Sequence, residues 1–305
     1  MSQHAPSVDG ISTATSPADS GSAPAPHPLV IEPASGWMPI DLAELRDRSD
    51  LLLYMTIKAV KTRYVQSALG FTWAFIQPLM TIIVFTIVFS RVAKIPMPSD
   101  LPYPLIAFCG ILFWSFFAQS LTAASSSLVS NREMLTKIYI PRLIFPLSQS
   151  LAKLVDLMIT LVLLGVLMVG FRIAGEPVSP RPEAVLVLPA MILLAFVASL
   201  GLSLWFSALS VQYRDVAYGL PFVVQIGMYL TPIIYSTEMI PAAIRPIFAL
   251  NPMLAVITGV RASLLGPPFL YHPALLVEGT VVAVALLVSG AIFFRRSEHL
   301  FADVA

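Results

Sequence analysis

Ser130–Pro146, SNREMLTKIYIPRLIFP, interrupts two long apolar runs with a short polar break. Ser130 followed three residues later by Glu133 has the form of a capping box, in which two side chains satisfy free N–H groups at a helix start. Pro141 ends that helix, because proline disfavours helical geometry at the residue before it. The stretch predicts about two turns of helix carrying Arg132, Glu133 and Lys137 between apolar spans. A span-to-span connection needs only a few polar residues, so a stiff charged helix there suits a grip for another protein. Spacing alone fits an ordinary cytoplasmic loop with solvated charges equally well.

The apolar runs on either side set the class. Of the 305 residues, 57% are hydrophobic and 11% charged, and the mean hydropathy is +0.83. That is the composition of an all-α integral membrane protein, not of a soluble globule around a buried core. A net charge of +1 counts against a nucleic-acid partner, which would call for clustered basic residues. Cys109 is the only cysteine, so there is no internal disulfide. His4, His27, His272 and His299 are scattered, none with a second ligand at metal spacing, and no metal site is expected.

An apolar helix needs roughly 20 residues to cross the hydrocarbon layer. Six segments qualify: Ser67–Phe89, Leu105–Leu128, Leu151–Phe171, Ala184–Leu209, Val216–Tyr235 and Ala274–Phe294. Even parity puts both termini on one side. Of the 18 Lys and Arg, only Arg91, Lys94, Arg172, Arg181, Arg245 and Arg261 fall on the other side. The positive-inside rule therefore places both termini, Ser130–Pro141 and the loop Gln212–Asp215 in the cytoplasm.

Residues 1–36 are rich in Ser, Ala, Pro and Gly and are expected to form a disordered cytoplasmic tail. They lack the basic start and apolar core of a signal peptide. Asp41 with Glu44 suggests a helix start within residues 37–65. Leu53, Ile57, Val60 and Tyr64 then recur at helical spacing, with Lys58 and Lys61 opposite and Arg63 close behind. This predicts an amphipathic helix in the membrane interface, its basic side toward lipid headgroups. A helix running straight on into the first span would be interrupted by those three cations. Residues 66–305 then make up the six-span domain.

Ser236–Pro273, before the last span, holds apolar runs too short to cross, broken by prolines and glycine. Asn251 followed by Pro252 reads as an N-cap with a first-turn proline. The segment predicts two short re-entrant helices in the outer leaflet; a helical hairpin on the outer surface is the other possibility.

Little here carries chemistry. No G-x-x-x-x-G-K-[ST] loop is present, so the chain does not bind ATP by that route. No loop pairs carboxylates at a spacing suited to acid–base work or to holding a metal diphosphate. Asp156 lies inside a span with Lys153 one turn away, which suggests a local pair, and Glu278 can reach the interface. Phe108, Phe113, Trp114, Phe116 and Phe117 crowd the second span, with Trp73 and Phe75 in the first. Helix packing and interfacial belts are the ordinary account of such rings; stacking against sugar rings is the functional one.

Several motifs together resemble the permease subunits of type 2 ABC exporters, in the branch that exports polysaccharides and polyol phosphates. They are LGFTWAFIQP ending at Pro78, GILFWSFF from Gly110, NREMLTKIYIPRLIFP from Asn131, YRD at Tyr213–Asp215, TPIIY at Thr231–Tyr235, Asn251–Pro252, Arg261 and the closing FRRSEHLFAD. The similarity runs from about Leu52 to the C-terminus and leaves out the tail.

The resemblance implies a homodimer of six-span subunits in the cytoplasmic (inner) membrane, docked on two copies of a separate ATPase that holds ATP and Mg. This chain itself would hold no cofactor. It implies that Arg132, Glu133, Lys137, Tyr139, Pro141 and Arg142 form a coupling helix on the ATPase, with Tyr213, Arg214 and Asp215 beside it. The interfacial helix, with Lys58, Lys61, Arg63 and Tyr64, would contact the same partner and membrane lipids. Trp73, Phe113, Trp114 and Phe117 would line a channel, and Tyr235, Asn251, Pro252 and Arg261 would belong to an outer gate. The implied cargo is a lipid-linked polysaccharide such as an O-antigen, capsular or teichoic polymer. The alternatives are a drug or lipid exporter of the same architecture, a membrane glycan transferase and an ion-coupled flippase.

Overall fold

In the computed structural model, the residues described are 42–64, 70–92, 101–137, 140–233, 235, 237, 240, 241, 243–267 and 269–304. Residues 1–41, which include the expected tail and the start of the expected interfacial segment, lie outside them. Among the described residues every regular element is helical. In chain order they are α1 (Leu42–Asp47), α2 (Ser49–Tyr64), a 3₁₀ turn at Gly70–Thr72, and α3 (Trp73–Phe85), which runs on as a π-helical stretch over Thr86–Val92. Then come α4 (Tyr103–Ser125), α5 (Ser127–Ser130), α6 (Arg132–Lys137), α7 (Ile144–Ile173) and α8 (Ala184–Gln212). The chain closes with α9 (Arg214–Leu230), α10 (Arg245–Ala249), α11 (Pro252–Leu264) and α12 (Pro273–Val304).

Among the described residues, five helical stretches are long and apolar enough to cross a membrane: Trp73–Ser90, Tyr103–Ser125, Ile144–Ile173, Ala184–Gln212 and Pro273–Glu298. The expected fifth span, Val216–Tyr235, appears as α9, which has 17 residues and stops at Leu230. Thr231 turns to extended geometry (φ −90°, ψ 137°), as the residue before Pro232 should. The third span differs in the other direction. α7 begins at Ile144, seven residues ahead of the expected Leu151, and reaches 30 residues.

α4 is the centre of the bundle. Of its membrane-spanning window, 78% is buried, against 6% for the window in α3 and 11% for that in α7. Its Leu105, Ile106, Phe108 and Phe113 are sealed in a large core cluster with residues of α7, α8 and α11. α8 and α12 approach most closely through glycine. A Cβ on Gly201 would sit 2.5 Å from the backbone nitrogen of Leu287, so no larger residue fits that contact. Lower along the same helix pair, Trp205 stacks on Phe293 with centroids 4.2 Å apart and donates its indole N–H to Ser289 Oγ at 3.1 Å.

A second, smaller cluster marks one end of the bundle. It joins Met55 of α2, Leu128 of α5, Phe145 of α7, Leu204 and Ala208 of α8 and Phe294 of α12. Leu45 of α1, Met134 and Leu135 of α6 and Val211 of α8 pack against it. Short helices and long ones are thus tied together at a single end.

Candidate functional site

α6 sits at that end. Its start differs from the expected capping box, because Ser130 is the last residue of α5 and Asn131 forms the joint. Asn131 donates its side-chain amide to Ser127 O at 2.8 Å, and its own carbonyl accepts from the backbone N–H groups of Met134 and Leu135. The helix that follows runs over six residues, Arg132–Lys137, close to the expected two turns; Ile138, between it and Pro141, lies outside the described residues. Met134 and Leu135 face the small core cluster, while Arg132, Glu133 and Lys137 are exposed. The result is a short helix with its apolar side anchored and its charged side outward.

Tyr139 lies outside the described residues. Pro141 and Arg142 are half-buried, and Pro141 O accepts from Ile144 N as α7 begins. The Arg142 guanidinium donates to the carbonyl of Glu298, so it ties the start of α7 to the end of α12. Glu298 also pairs with Arg295 at 3.7 Å. The break between α8 and α9 falls at the same end, next to Val211. Tyr213 is extended there, and Tyr213, Arg214 and Asp215 are exposed.

α2 runs beside α7 and buries Met55 in the small cluster. Leu53 and Ile57 stay 60% and 43% exposed, so the side of α2 away from the bundle keeps an apolar strip. Lys58, Lys61 and Arg63 are exposed, and the side chain of Tyr64 lies outside the described residues. An apolar strip with flanking cations fits a helix at a membrane surface.

The Asp156 carboxylate has the expected neighbour and one more. Lys153 stands 3.6 Å away, and Arg63 reaches across from α2 to form an ion pair with the same carboxylate oxygen. Gln119 of α4 accepts from Arg63 at 3.2 Å and from Lys153 at 3.5 Å. Sequence spacing revealed the i,i+3 pair alone; Arg63 is 93 residues from Asp156, and no local signal joins them.

The opposite feature of the bundle is the hairpin α10–α11. Asn251 caps α11 by accepting from Met253 N at 3.0 Å, and its amide donates to Thr231 Oγ1 at 2.8 Å. Pro252 occupies the first turn and is buried. Tyr235 is half-buried and donates from its hydroxyl to Leu230 O at 3.3 Å. Arg261 is only 3% exposed. Its guanidinium donates to Ile106 O at 3.2 Å, Pro232 O at 3.0 Å and Ile233 O at 2.5 Å. One side chain therefore binds α11 to α4 and to the broken end of α9.

The aromatics divide. Phe113, Trp114 and Phe117 are buried within the subunit, with Trp114 and Phe117 5.3 Å apart and Trp114 against Gly227 of α9. Trp73 of α3 is 47% exposed. Among the described residues no group of three or more His, Cys, Asp and Glu could hold a metal ion.

The family model of the ABC-2 type transporter matches residues 50–265. An O-antigen export system permease protein RfbA of Klebsiella pneumoniae is 26% identical over 255 residues, covering 84% of this chain and 95% of the relative. The protein of the same name from Myxococcus xanthus is 27% identical over 258 residues, covering 84% and 96%. The match spans α2 through α11 and so includes α6, the α8–α9 break and Arg261.

Proposed function

We propose, because this chain belongs to the ABC-2 type transporter family, that it is the membrane subunit of an ATP-driven exporter of a lipid-linked, O-antigen-type polysaccharide. The observation that carries this reading is the meeting of α2, α6 and the Tyr213–Asp215 break at one end of the bundle, around one apolar cluster. A partner pressing on α6 pushes on that cluster, and the cluster is continuous with α7, α8 and α12. Force made outside the bilayer thereby reaches the spans. A rigid anchored helix transmits such a displacement, whereas a flexible loop absorbs it.

In this proposal α6 and Tyr213–Asp215 face a cytoplasmic ATPase, which supplies ATP and Mg. Two such ATPase copies serve a homodimer of this chain in the inner membrane. α9 acts as the sixth span, both termini are cytoplasmic, and α10 with α11 forms a re-entrant gate in the outer leaflet. Trp73 is the one of the four proposed channel aromatics that is exposed on the subunit surface, and it faces the channel. Phe113, Trp114 and Phe117 stiffen the helices behind it.

The test is export itself. Glu133→Lys should cut surface polysaccharide more than tenfold in cells lacking the wild-type gene, while the amount of the protein in the membrane stays normal. Full export by that variant would overturn the coupling role. Surface polysaccharide unchanged by deletion of the gene would overturn the cargo, leaving a drug or lipid exporter of the same architecture.

A further inference from the structure

Arg132, Glu133 and Lys137 are exposed, whereas Arg142 is half-buried and directed at α12. Ile140 and Phe145, on either side of it, are buried in the small core cluster together with Ala291 and Phe294 of α12. The backbone is thereby fixed on both sides of Arg142, and its guanidinium donates to the carbonyl of Glu298. That acceptor is part of the helix backbone, so a pull on Arg142 acts on α12 as a body. A side-chain acceptor would take up the same pull by changing rotamer. α12 is continuous over 32 residues, a length of about 48 Å. Midway along it Gly290 lies against Gly201 of α8, and nearer its start Gly279 lies against Ala255 and Pro252 of α11, in both places with no room for a Cβ. Movement given to the inner end of α12 therefore reaches α8 and the outer hairpin without crossing a loop.

We infer that Arg142 is a positioning residue of the transport cycle, which hands movement of the α6 segment to α12 through its hold on the Glu298 carbonyl and does not itself touch the partner that presses on α6. The inference rests on the export reading and deepens it by separating docking charges from a transmitting one. Arg132, Glu133 and Lys137, exposed on α6, meet the partner. Arg142, turned back into the bundle, moves the span. Arginine suits that second role, because its planar guanidinium presents five N–H donors in a fixed fork and so adds little play to the joint.

The full-length protein is purified with the ATPase that accompanies it, and its hydrogen exchange is followed with and without ATP and vanadate, beside surface polysaccharide in cells lacking the wild-type gene. In the wild type, nucleotide should change exchange in α6 and in the inner turns of α12 together. Arg142→Gln should keep the bound ATPase, its KM for ATP and the response of α6. It should lose the response of α12 and cut export about tenfold, a coupling of ordinary size between distant sites. Arg142→Lys, whose ammonium donates to the same carbonyl, should recover most of the export. Ending the chain at Ser297 removes the acceptor in place of the donor and should reproduce the pattern. Adding Arg142→Gln to that shortened chain should cause no further loss. If Arg142→Gln alone does not fold, the shortened chain decides. Loss of the bound ATPase from Arg142→Gln makes Arg142 a docking contact and overturns the inference, as does full export by that variant or an α12 that still responds in it. A wild type in which α6 responds and α12 does not sinks this inference only. No bound ATPase, or no response of α6, in the wild type sinks the export reading and this inference with it.

Discussion

Arg63 and Arg261 are two guanidiniums in one bundle, and the protein satisfies them in opposite ways. Arg63 stands at the edge of a polar cavity, pairs with the Asp156 carboxylate and keeps a third of its side chain exposed. Arg261 is sealed inside, and the three acceptors at its guanidinium are all backbone carbonyls. A partly exposed side-chain partner can be exchanged for water at little cost. A backbone partner cannot leave without moving the chain that carries it. The difference separates a charge cluster able to exchange contacts from a hairpin built to hold them.

Removing Arg261 should therefore break the comparison most severely. Arg261→Met removes three buried hydrogen bonds, two of them to the non-helical carbonyls of Pro232 and Ile233, where an unmet acceptor costs about 1–3 kcal/mol, and should abolish accumulation of folded protein or lower Tm by more than any other single change proposed. Arg261→Lys keeps the charge but cannot span three carbonyls on two segments, so its Tm should fall between wild type and Arg261→Met. A fully stable Arg261→Met would mean the clamp is idle.

Asn251→Ala tests the same hairpin more gently. It removes the cap of α11 and the bond to Thr231, and should cost about 1 kcal/mol. The loss should appear as faster hydrogen exchange confined to α11 and the end of α9. At the other end, Arg63→Gln should cost under about 1 kcal/mol, because the ion pair is partly solvated. A Tm drop as large as that of Asn251→Ala would show the pair to be a structural clamp after all.

Much of this was legible from the chain alone. The polar break and the cap at Asn251 with Pro252 behind it are local events, set by the residue types within a few positions. The meeting of Lys153 with Asp156 is local too. The exact joint at α6 was not, since Ser130–Glu133 and Asn131 are both good helix starters and the packing of Leu128 and Met134 selected between them. Arg142 looked like one more outward cation of the coupling segment until the end of α12 came beside it.

Composition and hydropathy determined by themselves that this is a helical membrane protein, and motif order determined its family. Only the tertiary structure decided which apolar helix lies at the centre, which aromatics are core, and which distant charge completes the Asp156 site. The physical reason is that lipid and protein interior are equally apolar. Alternation of polar and apolar residues, which in water marks the face of a helix that turns inward, is erased inside a bilayer. α3 and α4 read alike along the chain, yet 6% of one membrane window is buried and 78% of the other.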